Sequence, residues 1–178
     1  MHHLQEVLTK LKRPARGFTL VEILVVVVIV ALLAAIAMPN IIRARMSANE
    51  TQAIGHVRTL ANSLAMYRFA NNTYPDQWQE DMYPAGGLHF GPEMFNADLQ
   101  SADFTSQGYR YRYRDPAGLS NPIVILSIAA RPVALNLSGT RTFWVNDTNE
   151  IYHCVGESVS LTAPANAKTI AQAPLDCP

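Results

Sequence analysis

The sequence has no excess of charge of either sign: 14 Lys plus Arg stand against 14 Asp plus Glu in 178 residues, and charged residues make up only 16%. A chain so balanced exerts no global pull on nucleic acid or anionic lipid, so any electrostatic partner must be met by a local patch. Cysteine is scarce as well. Cys154 and Cys177 permit one disulfide and are too few for a zinc site built mainly from thiolates. The five histidines, His2, His3, His56, His89 and His153, show no ligand spacing such as H-E-x-x-H. His153 stands beside Cys154, but adjacent strand residues point to opposite faces, which argues against a thiol pair. No nucleophile elbow is present, and Gly86-Gly87-Leu88-His89 lacks the Lys and the Ser or Thr of a phosphate loop, so it reads as a turn. The sequence therefore predicts no enzyme, no cofactor and no metal. At 19.6 kDa it has room for one globular domain plus an appendage.

Apolar residues are plentiful, at 49%, and they are concentrated near the N-terminus. Phe18 to Met38 runs 21 residues with one charge, Glu22, and no Gly or Pro. A helix of that length spans about 30 Å, the thickness of bilayer hydrocarbon. The β-branched run Val25 to Val30 would suit a buried strand, but the segment is too long for one and has no internal turn residues. Lys10, Lys12, Arg13 and Arg16 precede it against a single acid, Glu6, so this end is expected to stay cytoplasmic and everything after Pro39 to lie outside. A disulfide persists in such a compartment. A secretory signal peptide is the ordinary rival, with Ala35 and Ala37 spaced as an A-x-A cleavage site. Against it stand the length of the apolar run, Glu22 at its beginning and Pro39 just past the cut. A carboxylate in a membrane span costs about 2 to 3 kcal/mol on insertion scales, so Glu22 is a functional candidate by default.

These residues carry a specific resemblance. Arg16-Gly17-Phe18-Thr19-Leu20-Val21-Glu22, the apolar run and Pro39 resemble the prepilin-type cleavage and methylation segment of type IV pilins and type II secretion pseudopilins. The resemblance is clear over about residues 13 to 45. It implies cleavage between Gly17 and Phe18 by a dedicated prepilin peptidase and methyltransferase, N-methylation of Phe18, and assembly roles for Glu22 and Pro39. The residues fit those roles: Gly17 lets backbone enter a narrow cleft, and Glu22 can pair with the new Phe18 ammonium of a neighbouring subunit, which relieves the carboxylate and fixes axial register. The plainer reading of Glu22 is a favourable end of the helix dipole, worth about 0.3 to 1 kcal/mol.

The helix is expected to continue. Pro39 should kink or loosen it, but from Ile41 to about Ala70 there is a single glycine, Gly55. Ile54, Val57, Ala61 and Leu64, with Leu60 and Tyr67 beside them, form a one-sided stripe, and Arg43, Arg45, Glu50, Arg58 and Arg68 supply charges around it. Asn71, Asn72 and Tyr74-Pro75 end the helix, which would be about 80 Å long from Phe18 to Ala70. No domain of this size buries such a helix alone, so its first half needs lipid or sister subunits.

Residues 71–108 read as an ordered connecting loop with a short helix around Pro92 to Leu99. Strands are expected at Tyr109–Arg114, Ile123–Ala129, Arg141–Asn146 and Ile151–Val155, the last two joined by the turn Asp147-Thr148-Asn149. On Tyr109–Arg114 the tyrosines and arginines take opposite faces, and Arg110, Arg112 and Arg114 make a basic stripe about 14 Å long. Such a stripe suits phosphates, but base stacking would need the tyrosines on the same side. The favoured reading packs the tyrosines on the helix and turns the arginines to solvent or a neighbouring subunit's acids, with nucleic acid the lesser expectation. Pairing Cys154 with Cys177 would close 22 intervening residues and contribute about 3 kcal/mol. Many pilins have such a C-terminal loop; two free buried thiols are the alternative.

The expected fold is α+β and pilin-like, one long N-terminal helix packed on a small antiparallel sheet of about four strands. Its parts are a leader, 1–17, which is removed; a transmembrane and filament-core half-helix, 18–38; an amphipathic half-helix, 39–70; a connecting loop, 71–108; and a sheet with a C-terminal disulfide loop, 109–178. The resemblance implies a structural subunit that polymerises with sister subunits into a pilus or related filament, from lipid bilayer, on an inner-membrane assembly platform. Pseudopilins of the secretion class usually carry an acidic calcium loop near the C-terminus. Asp147, Asn149 and Glu150 are the only local cluster here and read as a hairpin turn, which favours pilus over pseudopilus, with a DNA-binding or adhesive minor pilin as a further alternative.

Overall fold

The computed structural model describes residues 17–114, 127–146, 148–158, 160, 163–164 and 167–177. Residues 1–16 of the expected leader, Ile123–Leu126 of the second expected strand and Asp147 of the expected turn lie outside the described residues. The chain divides into two units between Ile41 and Ile42. One helix, α1 (Leu20–Asn71), contributes to both.

In the first unit every described residue is exposed. The β-branched run is helical despite its strand propensity. In an apolar solvent a helix satisfies every backbone amide within the segment, a constraint that outweighs propensity. α1 continues through Pro39. Proline has no N–H to give the Ala35 carbonyl, and one residue on, the Asn40 side-chain amide donates to the Ile36 carbonyl at 3.3 Å.

In the second unit α1 becomes one-sided. Ala53, Val57, Leu60, Ala61, Leu64 and Tyr67 are buried at the three and four spacing of a core stripe. The helix ends where the sequence places it. Asn72 takes a left-handed φ of 58°, and its N–H donates to the Arg68 carbonyl at 2.8 Å, the cap that Asn tolerates better than most residues.

The connecting segment holds more structure than expected. A short helix, α2 (Trp78–Met82), precedes the 3-10 turn Glu93–Phe95 that stands for the expected Pro92–Leu99 helix. Asp81 accepts the N–H groups of Asp76 and Gln77 at 2.8 and 2.9 Å and so ties the start of α2. Trp78, fully buried, donates its indole N–H to the Phe95 carbonyl at 3.0 Å.

Among the described residues the sheet has six strands rather than the expected four or so: β1 (Phe104–Ser106), β2 (Tyr109–Arg114), β3 (Ser127–Pro132), β4 (Arg141–Asn146), β5 (Ile151–Val155) and β6 (Lys168–Thr169), hydrogen-bonded in sequence order. All adjacent pairs are antiparallel. β1 folds back on β2 through Gln107-Gly108, both at positive φ (49° and 75°), as a two-residue primed hairpin turn requires. Among the described residues β3 runs past the expected Ala129 to Pro132, while β2, β4 and β5 keep their expected bounds.

The inner face of the sheet carries Tyr109, Tyr111, Tyr113, Ile128, Ala130, Phe143, Val145 and Ile151 into one core with α1, α2 and Phe95. Each buried tyrosine ends on a polar partner: Tyr109 donates to the Arg141 carbonyl at 2.8 Å, Tyr113 to the Pro75 carbonyl at 2.7 Å, and Tyr111 meets His56 Nδ1 at 3.0 Å. A Cβ on Gly139 would collide with the Tyr109 ring, so only glycine fits there. On the outer face Ala129, Trp144 and Cys154 form a second cluster with Tyr152, Ala163, Ala167 and Cys177, and C-terminal residues cover it.

Candidate functional site

The segment singled out by the sequence begins at Gly17. A Cβ there would meet nothing within 4 Å, so the fold itself does not demand glycine at this position. Phe18 is 83% exposed. Thr19 and Glu22 cap α1 reciprocally: the Glu22 N–H donates to Thr19 Oγ1 at 3.2 Å, and the Thr19 N–H and hydroxyl both donate to Glu22 Oε2 at 2.8 Å. This is a capping box, T-x-x-E, and it satisfies amides that an apolar environment would leave without partners. Thr19, part of the motif but without an expected role, is marked in the sequence by that T-x-x-E spacing. The arrangement gives Glu22 a local role at the helix start beside the intersubunit role expected of it.

A second polar constellation lies wholly in the globular unit, and the sequence reading missed it. Glu50, expected among the surface charges, is only 7% exposed. Its Oε1 accepts the N–H and the hydroxyl of Thr140, both at 2.7 Å, and its Oε2 accepts Arg141 Nε at 2.9 Å and Nη2 at 2.8 Å. Burial pushes the Glu50 carboxyl up, but the Thr140 hydrogen bonds and the Arg141 guanidinium outweigh it and hold the group below the usual carboxylate range. Arg141 Nη1 also donates to His153 Nδ1 at 3.2 Å, which leaves the ring proton on Nε2 for the Gln172 carbonyl at 3.0 Å. That neutral tautomer agrees with a His153 pKa pushed down, by burial first and then by the Arg141 charge, against the opposing effects of Gln172 and Glu50. The network joins α1 to β4, β5 and the C-terminal segment, and the available signal was spacing: Glu50 precedes Ala53, Val57, Leu60 and Leu64 on the same helical stripe.

The expected arginine stripe is largely consumed within its own chain. Arg112 pairs with Asp103 at 3.4 Å and donates to the Gln100 and Ser101 carbonyls. Arg131 meets the same carboxylate at 2.5 Å, and Arg110 donates to the Val133 carbonyl at 2.6 Å. Arg114 is exposed at the end of β2. The tyrosines are buried on the opposite face, as the alternation predicts.

Cys154 and Cys177 form a disulfide, with Cα atoms 5.0 Å apart. Around it Val155 N–H donates to the Leu175 carbonyl at 2.8 Å and Cys177 N–H to the Val155 carbonyl at 2.7 Å. Asn149, with φ 60°, donates its N–H to the Asn146 carbonyl at 3.0 Å, and Glu150 accepts the Tyr152 hydroxyl at 3.0 Å. Asn149 and Glu150 are thus engaged in the hairpin, and among the described residues no three His, Cys, Asp or Glu side chains are grouped to hold a metal ion. α1 is the one helix among the described residues long and apolar enough to cross a membrane.

Known proteins share parts of this sequence. Residues 12–38 match the family model of the prokaryotic N-terminal methylation motif. The chain is 41% identical over 117 residues to the type II secretion system core protein G of Aeromonas hydrophila, covering 65% of this chain and 76% of that one. Its identity to the protein of the same name from Pseudomonas aeruginosa is 33% over 123 residues, 67% of this chain and 86% of that one. With the type IV wide pilus major component PilA4 of Thermus thermophilus it shares 42% over 62 residues, 35% of this chain and 47% of that one. No solved structure matches.

Proposed function

The chain belongs to the family of type IV pilins and type II secretion pseudopilins, and from that premise we propose that it is a structural subunit which polymerises through its N-terminal helix into a type IV pilus or related filament. One observation carries this reading: Phe18–Met38 is apolar, helical from Leu20 and exposed along its whole length, while residues 42–178 build a core of their own. Such a segment is stable only in lipid or against other copies of itself. The same surface serves both states, so passage from membrane to filament changes its partner and not its chemistry. The chain is thus a bacterial membrane-anchored subunit, resident in the inner membrane before assembly and outside the cell, or in the periplasm, after it.

In this reading a prepilin peptidase and methyltransferase cuts between Gly17 and Phe18 and methylates the new amine. The mature chain, Phe18–Pro178, keeps 10 basic and 13 acidic residues, a formal charge of −3. Glu22, already bonded to Thr19 through Oε2, takes the Phe18 ammonium of a sister subunit, and Pro39 loosens α1 where one packing environment gives way to the next. An inner-membrane platform completes the list of assembly partners.

A second reading, a pseudopilus subunit of a type II secretion system, is favoured by the length of the matches to core protein G, which reach into the globular unit, whereas the pilus relative matches over 62 residues. Intact mass and N-terminal sequencing of protein recovered from cells tests the common premise. A chain beginning at Phe18 with one added methyl group is expected; a chain beginning at Met38 overturns the assembly reading. Deleting the gene then separates the two forms, by loss of surface filaments or by loss of protein export.

A further inference from the structure

Just past the apolar run, α1 carries two charges that the described chain does not use. Between Glu22 and Glu50 the only charged residues are Arg43 and Arg45. Both are exposed, and among the described residues neither has a hydrogen-bond or ion-pair partner. Arg68, Arg110, Arg112, Arg131 and Arg141 are by contrast each tied to a hydroxyl, carbonyl or carboxylate of the same chain. The next acid in sequence, Glu50, is already held by Thr140 and Arg141. We propose that Arg43 and Arg45 bind the phosphates of acidic phospholipids in the outer leaflet of the membrane that α1 spans. The proposal rests on the membrane-anchored reading above and names the lipid chemistry that the anchor selects.

Depth is the first argument. Arg43 and Arg45 follow Met38 by five and seven residues, which is about 7 and 10 Å along the helix. The headgroup layer beyond the hydrocarbon is about 5 to 8 Å thick on each side. Long side chains on a helix lean toward its N-terminus, so both guanidiniums lean back toward that layer. Ala44, Ser47 and Ala48 around them are small and exposed, and leave headgroups room to approach.

Placement around the helix is the second. Two positions apart in sequence, Arg43 and Arg45 stand about 160° apart on α1. A protein docked on one face covers one of them, whereas lipid encircles a membrane helix and reaches both. Chemistry is the third. A guanidinium offers a planar fork of donors that matches the oxygens of a phosphate, and it sheds water more readily than an ammonium does. In the assembly reading, removal of residues 1–17 takes away Lys10, Lys12, Arg13 and Arg16. Arg43 and Arg45 are then the basic side chains nearest the span on either side of the membrane, so they set how firmly the waiting subunit is held.

The test uses the full chain recovered from the membranes of its own cells, in detergent micelles holding equal amounts of phosphatidylglycerol and phosphatidylcholine. Native mass spectrometry counts the lipids that stay bound. The unaltered chain is expected to retain phosphatidylglycerol in excess, and Arg43→Gln with Arg45→Gln to lower the ratio of the two lipids by about fivefold or more. Arg43→Lys with Arg45→Lys is expected to keep most of it. Arg58→Gln removes an exposed charge 20 residues past Met38, about 30 Å along α1, and is expected to change nothing. All variants should melt alike, which shows that the globular unit is intact. An unchanged ratio in the double Gln variant overturns the proposal, and so does an equal fall in Arg58→Gln, which reports net charge alone. Displacement of phosphatidylglycerol by inorganic phosphate beyond that by chloride at equal ionic strength also overturns it, by assigning the pair to the free anion. If the unaltered chain is absent from the membrane fraction, the anchored reading fails and this one with it; a membrane-held chain whose lipid ratio ignores both arginines removes this proposal alone.

Discussion

The two parts of α1 share a backbone conformation and little else. From Leu20 to Ile41 no described side chain is buried, whereas from Ile42 onward Glu50, Ala53, Val57, Leu60, Ala61, Ser63, Leu64 and Tyr67 all are. In the second part the helix is held by tertiary packing of one face, the usual source of helical stability in proteins. In the first the described residues supply no packing partner, so stability must come from the surrounding apolar medium or from other copies. The difference shows that a continuous helix is not a continuous energetic unit, and that apolar side chains have opposite consequences depending on whether a partner is inside the chain.

The strongest way to break the comparison is to make the same deletion on both sides of Ile41. Leu60→Ala should destabilise the globular unit by about 2–5 kcal/mol through lost burial and a residual cavity. Ile29→Ala should leave its melting temperature in detergent unchanged. Equal shifts for the two variants would show that the parts are not independent. Next in size is the disulfide: Cys154→Ser with Cys177→Ser, or reduction, should lower the unfolding free energy by about 3 kcal/mol and leave membrane retention unaffected, as urea titration and membrane fractionation would report.

The Glu50 clamp sharpens the contrast on the globular side. Glu50→Ala removes the acceptor for four donors and should cost about 1–3 kcal/mol. Its pH dependence has a defined sign. The folded-state pKa of Glu50 is lowered, so its contribution is fully present above the ordinary carboxylate pKa, about 4.3, and is lost as pH falls below it. His56 and His153 are both shifted downward, burial being the first cause, and so stay neutral in the fold while the unfolded chain takes up protons as pH falls through about 6.5. Urea midpoints should therefore decline in two stages from pH 8 to pH 3, and a flat midpoint between pH 7.5 and 5 would contradict the histidine part. The smallest effect belongs to the membrane side: Thr19→Ala should weaken the start of α1 by about 1 kcal/mol, seen as faster amide exchange at Leu20–Ile23 with no change in the globular unit.

Much of this arrangement is legible in the sequence where a pattern is long or a residue type is forced. The α1 stripe, its stop at Asn71-Asn72, and strands β2, β4 and β5 all follow from periods of 3.6 and 2 bounded by turn residues. β1 and β6 escape because three and two residues cannot display an alternation, and Gln107-Gly108 is not among the usual two-residue turn pairs. α2 has five residues and no side-chain cap of its own at Gln77, so the burial of Trp78 and the bonds of Asp81 to the Asp76 and Gln77 amides, and not a local pattern, reveal why it forms. Glu50 was misplaced for a different reason. A charge beside an apolar stripe reads as surface, and its partners stand 90 and 91 residues away, where no local pattern reaches. At the candidate site the G-F-x-x-x-E spacing was plain, but the Thr19 half of the capping box was hidden behind the role that the resemblance gives to Glu22.

Because each strand of the meander pairs with the strand just before it in the chain, the sheet can grow in the order in which the chain runs. No strand waits for a later one to arrive and complete its ladder, which keeps loop closures short and limits the time any edge stands open to a stray neighbour. Folding can thus follow the chain strand by strand, and the Cys154–Cys177 bond ties the segment after β6 back to β5.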